Sequence, residues 1–177
     1  MHSARVWFAV ALTVGLFSGT VNAQPITPEL PPLGGVWRGT LTNYPERAKA
    51  ALVTVTMEIG AFPTADNQCV PWKTTYSERD TVRAVKDYRI CRGSGPQDLV
   101  VDEGGGVRLQ ASLLGGVLVS AFKAGSILLV THLRVTGNVL EEEILTIDDQ
   151  PASEGLVTMR TRAVQRLRLE RVVDQRL

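Results

Sequence analysis

From about Leu33 to the end of the chain, apolar and polar residues alternate with a period of two. The clearest run is Ala51 to Ile59, where Val53, Val55, Met57 and Ile59 alternate with Thr54, Thr56 and Glu58. That spacing turns one face of a strand to a core and the other to water. The same pattern predicts strands over Val36 to Thr42, Val70 to Ser77, Thr81 to Arg92, Asp98 to Val101, Val107 to Leu113 and Val117 to Lys123. It continues over Ile127 to Thr136, Val139 to Ile147 and a long last stretch from about Leu156 to Val173. Gly115-Gly116 and Gly137-Asn138 each separate neighbouring runs by two residues that accept positive φ, which is hairpin chemistry. Gly104-Gly105-Gly106 and Ala124-Gly125 make looser turns. Pro45 to Ala50 is the one stretch that reads as a helical turn. An all-β chain follows: a single antiparallel up-and-down β-barrel of about 8–10 strands, or, on the same pattern, a β-sandwich. Closure is favoured because it removes the exposed edges of an open sheet.

The N-terminal stretch is different. Arg5 precedes an apolar run from Val6 to Phe17, and Val21-Asn22-Ala23 supplies small residues at a cleavage position. This is the make-up of a secretory signal peptide over residues 1–23, and the run is shorter than the ~20 residues of a membrane span. No cysteine follows the cleavage position, so no lipid anchor is indicated. Residues 24–32 hold four prolines (Pro25, Pro28, Pro31 and Pro32) and read as an extended leader. The folded domain is expected over residues 33–177. Cleavage after Ala23 would leave 177 − 23 = 154 residues, the size of one domain. It would also remove Arg5 and take the formal charge from +1 to 0. A nucleic-acid binder would carry a basic surplus. A periplasmic or secreted protein is therefore expected, and in such an oxidising compartment Cys69 and Cys91 read as one disulfide. A zinc site normally takes at least three protein ligands, and His132 is the only histidine past the signal.

The first strand reads Leu33-Gly34-Gly35-Val36-Trp37-Arg38-Gly39-Thr40-Leu41. Its Gly35-x-Trp37 resembles the opening motif of the calycins, the lipocalin, fatty-acid-binding and avidin-like β-barrels. The resemblance implies that Trp37 closes one end of the barrel and that a basic residue late in the last strand packs across its ring. Arg168 and Arg171 are the two positions that fit, and an arginine over an indole gains cation–π attraction. The second and third lipocalin signatures are not found, nor is a biotin-contacting polar set. The longer form Gly35-x-Trp37-x-Gly39 also looks like haem-binding nitrobindin barrels. Those need a histidine near the chain end, where this chain has none, so no cofactor is expected.

The chain has no nucleophile elbow, phosphate loop, His-Glu-x-x-His or Cys-x-x-Cys. His132 shares its strand face with Leu128, Val130 and Arg134, a mixed face, and reads as a half-exposed strand histidine. Glu141-Glu142-Glu143 and Asp148-Asp149 cannot converge on a metal, because neighbours on a strand point to opposite faces. With Arg160, Arg162, Arg166, Arg168 and Arg171 following, these charges read as a solvated, self-neutralising face. Inward positions by parity are Trp37 and Leu41; Val53, Val55 and Met57; Trp72, Thr74 and Tyr76; Tyr88 and Ile90; Leu118, Ser120 and Phe122. Of these, Trp72, Tyr76, Tyr88 and Phe122 are the candidates to line a cavity, and Lys86, in phase with Tyr88, is the candidate anchor for an acidic ligand. The expected function is an exported, non-enzymatic binding protein, without metal, cofactor or nucleic acid, carrying a small apolar or amphipathic ligand. The alternative is a protein-interaction module such as an inhibitor of extracellular proteases.

Overall fold

Ten strands form from the alternating segments: β1 (Gly35–Tyr44), β2 (Val53–Ile59), β3 (Cys69–Glu78), β4 (Thr81–Arg92), β5 (Asp98–Gly104), β6 (Val107–Leu114), β7 (Val117–Ala124), β8 (Ile127–Thr136), β9 (Val139–Ser153) and β10 (Leu156–Arg171). The computed structural model describes residues 32–46, 51–64, 68–153 and 155–173. The expected signal peptide, all of the leader but Pro32, and most of the Pro45 to Ala50 turn lie outside these. Each strand pairs antiparallel with its sequence neighbours, and β1 closes on β10. The result is a single closed up-and-down barrel, not a sandwich, with no helix among the described residues.

Glycines carry positive φ where the tight turns need them, at Gly115, Gly116 and Gly137. Between β3 and β4 the turn is made instead by Arg79 and Asp80, with φ of 47° and 62°. Two strands outrun their sequence pattern. β5 continues past Val101 to Gly104, and β9 past Ile147 to Ser153, where its ladder with β10 shifts register between Leu156 and Ala163.

At one end the barrel is packed solid. Trp37, Met57, Ile90, Leu99, Leu133, Leu140, Leu167 and Leu169 are all fully buried there. The Trp37 indole donates its N–H to the Leu33 carbonyl at 2.9 Å, satisfying a polar atom with no access to water. Arg171 lies over the same ring, 4.0 Å from its centroid. Its guanidinium donates to the carbonyls of Gly34 (2.6 Å) and Pro32 (2.5 Å), tying the chain entering β1 to the end of β10. Both glycines of the Gly35-x-Trp37-x-Gly39 run are required, for different reasons: Gly35 has a φ of 135°, which other residues rarely adopt, and a Cβ on Gly39 would sit 2.0 Å from the Arg168 carbonyl oxygen. Arg168 itself does not cap the barrel. It is one step out of phase with Leu167 and Leu169, and its guanidinium bonds the Glu141 carboxylate outside at 2.5 Å.

The outer face of β9 and β10 carries further pairs, Arg166 with Glu143 and both Arg160 and Arg162 with Asp148. One acid breaks from the expected solvated face. Glu142 has the parity of Leu140 and Ile144, points inward and is 7% exposed.

Cys69 and Cys91 are directly opposed in β3 and β4 and form a disulfide. Beyond it β4 runs on with little support. It pairs with β5 only from Arg89 to Arg92, so Thr81 to Tyr88 are held by β3 alone and Thr81 to Asp87 are exposed.

Candidate ligand-binding cavity

The half of the barrel away from Trp37 is not filled. Inward positions there alternate large and small side chains around a cavity of about 190 Å³. Trp72, Val101, Ala111 and Leu118 form its floor, where the packed core begins. Higher on the wall stand Tyr76 and Tyr88 from β3 and β4, Phe122 from β7, Leu129 from β8 and Ile144 from β9. Gln165 closes the β10 side, its amide N–H donating to Asn43 Oδ1 at 2.9 Å. Ser120 is occupied elsewhere, donating to the Gln110 carbonyl at 2.7 Å. Lys86 and Glu103 border the place where β4 and β5 diverge, so the cavity meets solvent beside them.

The structure thus brings Trp72, Tyr76, Lys86, Tyr88 and Phe122 to one cavity. It adds two carboxyl groups that the sequence pattern did not single out, Glu103 and Glu142. The signal for Glu142 was its parity with Leu140 and Ile144, hidden inside a run of three acids. Glu103 lies past Val101, where the apolar phase of β5 gives way to Asp102 and Glu103.

Glu142 is flanked in the ladder by Leu133 of β8 and Leu167 of β10, both apolar. It makes no hydrogen bond or ion pair of its own among the described residues. Burial pushes its carboxyl from 4.5 up to about 7, opposed to a lesser degree by the positive charge of Lys86. The Tyr76 phenol is held well above its usual range, first by burial and then by Glu142 and Tyr88. Tyr88 is raised too, by burial and then by the Glu103 carboxylate beside it. Lys86 is exposed, with its ammonium 5.8 Å from the centroid of the Tyr76 ring.

His132 lies on the outer face, opposite Val119 and Glu143. Among the described residues no three of His, Cys, Asp and Glu come together as a metal site. No helix there is long and apolar enough to cross a membrane. Set against protein-family models, curated proteins and solved structures, the chain matches none.

Proposed function

We propose that the protein is an exported barrel of calycin type that holds a small amphipathic molecule in its open half and does no chemistry on it. The observation that carries this reading is the contrast between the two halves of one barrel. One half is closed by Trp37 and Arg171 and packed with Leu and Ile, while the other keeps about 190 Å³ free between aromatic walls. That volume is below the ~300–1,000 Å³ of drug-sized sites but above the roughly 150 Å³ that admits benzene in an apolar cavity. It suits a ligand with one ring or a short chain. The Trp37–Arg171 stack is the arrangement that the calycin resemblance implies. A disulfide suits an oxidising compartment outside the cytoplasm. The charged ladder around β9 and β10 suits water rather than lipid, since a lipid-facing strand presents apolar side chains.

Native mass spectrometry of protein purified from its own host tests the proposal. A retained small molecule, displaced on denaturation, is the expected result. Protein that arrives empty but bound to another polypeptide would favour the second reading, an interaction module such as a protease inhibitor. That reading draws on the unsupported flank of β4, where Val82 and Val85 stand 57% and 50% exposed.

A further inference from the structure

The cavity holds three charged side chains, and they are not equivalent. Lys86 and Glu103 sit where β4 and β5 diverge, Lys86 exposed and Glu103 half-buried. Lys86 has a long flexible stem and loses little by turning to water. Glu142 has no such freedom. It projects from the first third of β9, closed in by Leu133 and Leu167, with no hydrogen bond or ion pair among the described residues. With the residue 7% exposed and no protein donor on it, this carboxyl keeps little water and gains no protein hydrogen bond in return, which costs free energy. A stable barrel that keeps one facing an empty space has a receptor for a donor, and the strongest donor to a carboxylate is a cation.

The walls select the same class of ligand. Trp72, Tyr76, Tyr88 and Phe122 present four aromatic side chains around the same cavity. Ring faces attract cations, most strongly out of water. Within the cavity this chemistry is already present, in the Lys86 ammonium over the Tyr76 ring. With both carboxyls ionised, the charges lining the cavity sum to −1.

We infer that the ligand is a small organic amine, its ammonium bound to Glu142 and its apolar body lodged among Trp72, Tyr88 and Phe122. This rests on the cavity being a ligand site and names the chemistry of what fills it. It reverses the simpler expectation that Lys86 anchors an acid, because the charge that cannot leave the cavity is negative.

The groups facing Glu142 set the pH behaviour. From β3 there is the Tyr76 phenol, from β4 Lys86 and Tyr88, and from β5 Glu103; the flanking residues of β8 and β10 do not titrate. Burial holds the Glu142 carboxyl near 7, so the empty barrel is mostly protonated there below neutrality. An alkylammonium stays charged to about pH 10 and must find the carboxylate ionised. Affinity therefore rises with pH, about tenfold between pH 6 and pH 8 for a single group titrating near 7.

The test is calorimetric titration of the purified, disulfide-bonded protein with three probes of one shape: 2-phenylethylamine, 2-phenylethanol and 3-phenylpropionate. The amine is expected to bind at least tenfold more tightly than the alcohol at pH 8, to weaken about tenfold at pH 6, and to release protons near pH 7. Glu142→Gln keeps the side chain's shape and should abolish both the preference for amine and its pH dependence while the alcohol still binds. Lys86→Met, should Glu142→Gln fail to fold, removes the competing ammonium and is expected to tighten amine binding several-fold. If the alcohol binds as tightly as the amine, or if the propionate binds best and weakens as pH rises, the amine assignment is overturned and the cavity remains a ligand site. If none of the three binds at either pH, the ligand-site reading itself fails.

Discussion

Glu142 shows how much one residue's phase decides. Its neighbours Glu141 and Glu143 face outward to Arg168 and Arg166, and a shift of one position exchanges water for the barrel interior. The consequence for stability follows from its raised carboxyl. In the unfolded chain it ionises near 4.5, in the barrel near 7, so between those values the folded state binds more protons. Stability from this group is therefore greatest below about pH 4.5 and declines as pH rises to 7, by about 3 kcal/mol in all. Thermal melts from pH 5 to pH 8 should show the native protein losing stability relative to Glu142→Gln, which carries no titrating group there. Parallel pH profiles for the two proteins would contradict the buried position. Gly39 is the other residue whose environment fixes its identity. A methyl there meets the backbone of Arg168 and Leu169 in the adjoining strand, which cannot yield without separating β1 from β10. Gly39→Ala should cost about 2–4 kcal/mol in chemical denaturation, at the upper end for a single substitution.

Among the elements, the β3–β4 hairpin stands apart. It is clamped at one end by the disulfide and turned at the other by Arg79 and Asp80, but for most of its length β4 has no second neighbour. Cys69 and Cys91 enclose a segment with a sequence separation of 22, for which loop-closure entropy gives about 3 kcal/mol. Replacing both by serine should lower stability by about that amount. Hydrogen exchange should accelerate first in Thr81 to Tyr88, because β3 alone pairs with them and its clamp to β4 is then gone; uniform acceleration over the barrel would show that the hairpin does not open by itself. Alternation was enough to read the existence of all ten strands, because in a barrel each has one wet face and one dry face. It failed where that contrast fades. β9 past Ile147 meets Asp148, Asp149 and Pro151, and sequence alone does not show the register shifts that let it continue opposite β10. β5 past Val101 turns to Asp102 and Glu103, where the inward position is polar and the pattern disappears. The cavity's aromatic side chains were legible by parity for the same reason that its acids were not: an inward Tyr or Phe agrees with the apolar phase, an inward Glu contradicts it.

For the molecule as a whole the issue is whether the free space serves a ligand or is only incomplete packing, and one substitution separates the two. Ala111 lies on the cavity floor, opposite Ser120 on β7 and Leu99 on β5, with its side chain directed at the space. Ala111→Leu adds three carbons against Val101, Leu109 and Leu118, which lack contacts on that side. At about 0.8 kcal/mol per buried methylene, less the cost of holding a leucine rotamer, the variant should gain about 1–2 kcal/mol. For a chain of this size that raises the melting temperature by roughly 2–8 °C. A cavity that exists for a ligand then shows opposite signs in one protein: a more stable barrel and a loss of 2-phenylethanol and 2-phenylethylamine binding of tenfold or more. Retained binding in the stabilised variant would place the ligand elsewhere on the barrel, whereas a destabilised variant would show that the floor is already filled. The packed half is the internal control. Leu169→Ala there opens a void away from the cavity lining and should cost about 2–5 kcal/mol, with probe affinity in the upper half unchanged as long as the barrel stays folded.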